Sequence, residues 1–125
     1  MKSLSDIKKI ARETIAIELA AVAKLESSIN DDFVNAINLI LSTKGRLIVA
    51  GIGKSANIAN KMVATFNSTG QPAVFLHAAD AIHGDLGNIQ EGDVVICISK
   101  SGNTSEVKAL VPFIKNMGNK IIALT

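Results

Sequence analysis

Apolar residues recur at steps of three and four from Leu4 through Ile7, Ala11, Ile15, Leu19, Val22 and Leu25 to Ile29. That spacing lays one stripe along a helix, with Ser3 or Ser5 placed to cap its start. Asn30-Asp31-Asp32 interrupts the stripe and caps a second helix, Phe33 to about Thr43, which ends near Gly45. Beyond Gly45 the period changes. Short runs rich in β-branched residues alternate with helical stretches. The pattern predicts strands at about 46–50, 73–76, 93–98 and 120–124. It predicts helices from Ser55 to about Thr69, stopped by Gly70, and over about 104–117, stopped by Gly118. His77 to Gly92 reads as a long loop punctuated by Gly84, Gly87 and Gly92. Pro112 falls inside the last helix, where it should cost a hydrogen bond, and the sequence gives no reason for its being tolerated.

Alternation of this kind predicts an α/β fold, a parallel sheet covered on both faces and hence three layers. Right-handed crossovers and a flavodoxin-like strand order 2-1-3-4 would make the first and third strands neighbours at the switch point. The turns that follow those two strands would then open side by side at the carboxyl edge of the sheet.

Both turns carry candidate chemistry. Leu47-Ile48-Val49-Ala50 runs into Gly51-Ile52-Gly53-Lys54-Ser55, and Val94-Val95-Ile96-Cys97-Ile98 runs into Ser99-Lys100-Ser101-Gly102-Asn103-Thr104-Ser105. A helix start offers unpaired N–H groups and partial positive charge, which suits a phosphate. Capping alone accounts for Asn103 or Thr104 but not for two further hydroxyls and a glycine within six positions. The first turn is not a Walker A loop, which needs a glycine where Ile48 stands. Gly51, Gly53 and Ala56 do fit a dinucleotide fingerprint, with Asp80 as a ribose acid, and that reading stays open on the residues alone.

Composition narrows the field. With 48% hydrophobic and 19% charged residues among 125, the chain has material for one packed core. A net charge of +2, no basic stripe, no Trp or Tyr and only four Phe argue against nucleic-acid binding. Asp6, Lys8, Lys9, Arg12 and Glu13 are interleaved with the apolar residues of the first helix and deny it the unbroken apolar run of a signal peptide. No run approaches the ~20 apolar residues of a membrane span, so no membrane association is expected. The single cysteine, Cys97, lies mid-strand, and a reduced, cytoplasmic setting follows as the expectation. The sequons at Asn67 and Asn103 are then chance matches. His77 and His83 are the only histidines; they are weak metal candidates, with Asp80 and Asp85 nearby but no tight ligand spacing, so no metal is expected. Glu106, in the first turn of the last helix, suits the helix dipole whatever else it does.

Gly51-Ile52-Gly53-Lys54-Ser55, Phe66-Asn67-Ser68-Thr69-Gly70, His83-Gly84-Asp85-Leu86-Gly87 and Ser99-Lys100-Ser101-Gly102-Asn103-Thr104-Ser105-Glu106 together resemble the sugar isomerase (SIS) domain from about Ile29 to Thr125. More narrowly they resemble its arabinose-5-phosphate isomerase group. The resemblance implies that Ser99, Ser101 and Thr104, with Ser55, hold a sugar phosphate, Gly102 and Asn103 belonging to the same cradle. It implies catalytic roles for Lys54, His83 and Glu106 in aldose–ketose isomerisation through an enediol, without a cofactor. A phosphosugar-sensing SIS module that does not turn its ligand over is the alternative. The group's loop His-Pro-x-Glu-Ala-x-His-Gly-Asp stands here as His77-Ala78-Ala79-Asp80-Ala81-Ile82-His83-Gly84-Asp85, with the proline lost and the acid shortened. The resemblance further implies a homodimer or homotetramer, because sites of this family are completed across subunits and the first helix offers a surface. On that frame residues 1–45 are the N-terminal helices and 46–125 the αβα core. The family's domain continues past the position of Thr125 with a fifth strand and a further glutamate and histidine, expected to include the main base, and many members add a CBS pair.

Overall fold

A computed structural model describes residues 3–125 of the chain. Its contacts divide into two compact units, one ending at Ile37 and one running Asn38–Thr125. In the first unit α1 spans Leu4–Lys24 and passes into a 3-10 turn, Leu25–Ser28. Its start is a capping box: the Ser3 hydroxyl accepts from the Asp6 N–H at 3.2 Å, and the Asp6 carboxylate accepts from the Ser3 N–H at 3.1 Å. α1 buries none of its residues, so its apolar stripe stays open to solvent. Asn30 starts α2 (Asp31–Ser42), its Oδ1 accepting from the Phe33 N–H at 3.1 Å.

The second unit is the sheet and its covering helices. Strands β1 (Leu47–Gly51), β2 (Ala73–His77), β3 (Val94–Ile98) and β4 (Lys120–Leu124) are all parallel, in the order β2-β1-β3-β4. The expected switch-point order is therefore the observed one. Helices α3 (Lys54–Ser68), α4 (Ala78–Ile82) and α5 (Ser105–Asn116) make the crossovers.

Alternation along the strands sends side chains to two cores. Ile48, Ala50, Val95 and Cys97 join Ala78 and Ala81 of α4 and Val107, Leu110 and Ile114 of α5 on one face. Leu47, Val49, Val94, Ile96 and Ile98 meet Ala59, Met62, Val63 and Phe66 of α3, and Leu39 and Ile40 of α2, on the other. Both faces are covered, and so β1 and β3 are buried at every position. Burial pushes the Cys97 thiol up to about 11.

One expectation needs correction, and one open question finds an answer. The stretch read as one long loop contains α4 and a 3-10 turn, Asp85–Asn88, before β3 begins. Ala78 and Ala81, a turn apart, bury against the core and make a helix worthwhile there. Pro112 is also accommodated for a visible reason. The carbonyl it leaves without a donor is that of Lys108, four residues earlier. Lys108 is exposed and Pro112 lies outside both buried clusters, so water can replace the lost bond.

At the amino edge of the sheet a buried carboxylate gathers the strand starts. Asp93 accepts from the Arg46 N–H at 2.8 Å, from Arg46 Nη2 at 2.7 Å and from the Gln90 N–H at 2.9 Å. Its side chain is 1% exposed. Burial alone would raise its pKa, but the hydrogen bonds from the Arg46 side chain, the Arg46 N–H and the Gln90 N–H, with the guanidinium charge, outweigh that and hold it below the ordinary value. Asn119 ties in β4 by donating to the carbonyls of Gln90 and Asp93, both at 2.8 Å.

Candidate functional site at the carboxyl rim

The opposite edge holds the residues singled out by the sequence. Because β1 and β3 are paired neighbours, with Ala50 beside Cys97, the turns that leave them start one strand spacing apart, about 4.8 Å. Two glycines shape the first turn. A Cβ on Gly51 would meet the Ser55 carbonyl carbon and oxygen at 2.9 Å, so only glycine lets the start of α3 fold back onto the strand end. Gly53, the N-cap of α3, has φ 59° and ψ −128°, a conformation that L residues avoid. Lys54 and Ser55 follow as the first two residues of α3, Lys54 exposed and Ser55 half-buried.

The second turn is held by its own hydroxyls. Ser99, 4% exposed, shares a hydrogen bond with the Thr104 hydroxyl at 2.8 Å and lies 3.5 Å from the Thr104 N–H, which donates to it. The Ser101 hydroxyl accepts from the Asn103 N–H at 3.1 Å, which leaves its own hydrogen free to donate outward. Lys108, in the second turn of α5, donates to Asn103 Oδ1 at 2.8 Å. Glu106 accepts from the Ser105 hydroxyl at 2.7 Å. That bond, together with the Glu106 N–H, lowers its pKa, so the carboxylate is ionised at neutral pH.

The loop after β2 completes the rim. His77 ends β2 in register with Gly51, so it stands beside the first turn. Its Nδ1 is buried without a hydrogen bond, and Asp80 Oδ2 lies 3.5 Å away. His83 caps the far end of α4 and is exposed. α4 packs along α5, the helix that carries Glu106. Among the described residues no hydrogen bond joins Lys54, His83 and Glu106 to one another, and no three His, Cys, Asp or Glu side chains gather as metal ligands.

Two interactions go beyond the site residues named from the sequence. Asn67, inside one of the recognised motifs, clamps the β2 start, accepting from the Ala73 N–H at 2.9 Å and donating to its carbonyl at 3.0 Å. The Lys108 contact was missed too, although a lysine in the N-terminal half of a helix, against its dipole, was a usable signal.

Glycine- and hydroxyl-rich turns after neighbouring central strands make the carboxyl rim of this parallel α/β sheet a candidate ligand site. The SIS domain model matches residues 40–125, and the chain belongs to that family. It is 51% identical over 117 residues to the protein named Probable arabinose 5-phosphate isomerase of Haemophilus influenzae, covering 94% of this chain and 35% of that one. It is 47% identical over 115 residues to arabinose 5-phosphate isomerase KdsD of Pseudomonas aeruginosa, covering 92% and 35%. A solved structure of an E. coli CFT073 protein in complex with arabinose 5-phosphate superposes with a TM-score of 0.92 at 41% identity, covering 98% of this chain and 65% of that one. The chain spans about a third of the length of the curated relatives it matches.

Proposed function

We propose that this chain carries the sugar-phosphate site of an aldose–ketose isomerase that interconverts D-arabinose 5-phosphate and D-ribulose 5-phosphate. The observation that carries the reading is the pairing of β1 with β3, which opens two amide- and hydroxyl-rich turns on one rim. The similarity to named arabinose 5-phosphate isomerases over more than nine-tenths of the chain supports the substrate.

In this reading Ser55, Ser99, Ser101 and Thr104 surround the phosphate, with Gly102 and Asn103 shaping the loop between them. Each charge-assisted bond contributes roughly 1.5–3 kcal/mol. Ser101 donates directly, since it accepts from the Asn103 N–H and its own hydrogen is uncommitted. Ser99 and Thr104 have one hydroxyl hydrogen between them committed to their mutual bond, which leaves the other for the ligand. Isomerisation opens the sugar ring and moves a proton between adjacent carbons through an enediol. Lys54, exposed at the first turn of α3, stabilises the developing oxyanion. His83 serves ring opening or acid–base transfer. Glu106, held ionised by Ser105, orients the sugar hydroxyls and supports proton transfer.

The protein acts in the cytoplasm and as a homodimer or homotetramer. Supporting the assembly is the stripe of α1, where Leu4, Ile7, Ile15, Leu19 and Val22 are all more than half exposed. Among the described residues no helix is long and apolar enough to cross a membrane. Residues 1–45 serve as N-terminal helices to a core at 46–125.

Assay of ribulose 5-phosphate conversion and of arabinose 5-phosphate binding tests the proposal. Lys54→Ala should lower kcat about 100-fold with a much smaller change in affinity. An equal loss in ground-state binding would demote Lys54 to a phosphate contact. Binding and thermal stabilisation by the phosphosugar with no turnover would favour a sensing module instead.

A further inference from the structure

Lys108 stands where an isolated helix would disfavour it. It is the fourth residue of α5, near the positive end of the helix dipole, which disfavours a cation. No carboxylate pairs with it among the described salt bridges. Its ammonium instead reaches back five positions to Asn103 Oδ1, at 2.8 Å. Asn103 in turn donates its N–H to the Ser101 hydroxyl at 3.1 Å. Between them Gly102 turns at φ 64°. Lys108, Asn103 and Ser101 thus form one chain of contacts that runs from the helix into the hydroxyl loop.

We infer that Lys108 is a positioning residue of the phosphate cradle, which fixes the Ser101–Asn103 turn through Asn103 Oδ1 and adds a positive charge beside the bound dianion. The inference rests on the phosphosugar reading of the rim and deepens it, since it names a residue outside the hydroxyl motif. Two effects follow from one side chain. The turn is held with the Ser101 hydroxyl hydrogen free to point at the ligand, so less ordering is left for binding to impose. The ammonium also draws a dianionic ester more strongly than a monoanionic one, and this share falls as salt screens it. A lysine used only to support the helix would produce neither signature.

The experiment measures the dissociation constant for arabinose 5-phosphate by calorimetry in the full chain, at low and at high sodium chloride. Lys108→Met should weaken binding about three- to tenfold at low salt, a size expected of one partly exposed charge-assisted contact. The gap should narrow as salt rises, while the melting temperature of the free protein stays put. Lys108→Arg, which keeps the charge and a donor, should restore affinity to within about twofold. Equal binding by Lys108→Met and the wild type overturns the inference, as does equal impairment of the Met and Arg variants. A salt-independent loss accompanied by a lower melting temperature also overturns it, in favour of a structural role. If the wild type itself binds no phosphosugar while its melting transition is normal, the reading of the rim fails and the inference falls with it. A wild type that binds isolates the result to Lys108.

Discussion

The two edges of the sheet are built from similar polar chemistry and put it to opposite uses. At the amino edge, the buried Asp93 commits its carboxylate to Arg46 and Gln90, and the buried Asn119 commits its amide donors to two carbonyls. At the carboxyl edge, Ser101 keeps a hydrogen free, Lys54 and His83 stand in solvent, and His77 Nδ1 is left without a bond. The first edge spends its donors and its carboxylate on tying the strand starts together, leaving Asn119 Oδ1 unpaired. The second leaves its polar groups open, and the difference separates the residues that maintain the fold from those available to a ligand.

The contrast can be broken most severely at Asp93. Asp93→Ala removes the acceptor for two backbone N–H groups and strands a guanidinium whose side chain is about one-third exposed. Unfolding in urea should show a loss of about 2–4 kcal/mol, about one kcal/mol below the usual range for breaking a buried pair because Arg46 still reaches water. A loss under about 1 kcal/mol would mean that this edge is not what holds the strands.

The same carboxylate sets an acid limit. Its folded-state pKa lies below the ordinary 3.8, so the unfolded chain binds the proton more readily. Its contribution is complete above the ordinary carboxylate range and disappears as pH falls through the lowered value. Urea midpoints between about pH 6 and pH 2 should therefore drop steeply below about pH 4. Asp93→Asn should flatten that drop, and an unchanged profile would relocate its cause to other carboxylates.

At the opposite edge the effects shift from stability to binding. Gly51→Ala pushes a methyl onto the Ser55 backbone, and α3 has to move away. The expected cost is about 1–3 kcal/mol of stability, with phosphosugar affinity falling alongside. Retained affinity in a destabilised variant would detach the first turn from the site. Ser101→Ala should weaken phosphosugar binding by about 1–3 kcal/mol with the melting temperature unchanged. If calorimetry finds the variant binding as tightly as the wild type, the hydroxyl loop is not the cradle.

Much of the carboxyl edge was legible in the sequence because its residues are neighbours in the chain. The hydroxyls from Ser99 to Thr104 sit within six positions, and the β-branched runs before each turn announce buried parallel strands. The strand order followed from that alternation and from the handedness of crossovers. The amino edge was illegible for the converse reason. Arg46 and Asp93 lie 47 positions apart, and Asn119 lies 26 beyond Asp93, so no local pattern joins them. α4 escaped notice because five residues are too few to display a helical period and glycines follow it closely. The mutual bond of Ser99 and Thr104 could not be read either, since composition counts hydroxyls without saying which are already engaged.

Pro112 has a consequence for how motion spreads along α5. The missing amide leaves a gap in the ladder between the front of α5, with Glu106 and Lys108, and its rear, with Ile114 and Lys115. Fraying that begins near Met117 therefore meets a break before it reaches the front of the helix. Amides behind the proline should exchange with deuterium sooner than those of Leu110 and Val111, which leaves the front of the helix quiet while the tail breathes.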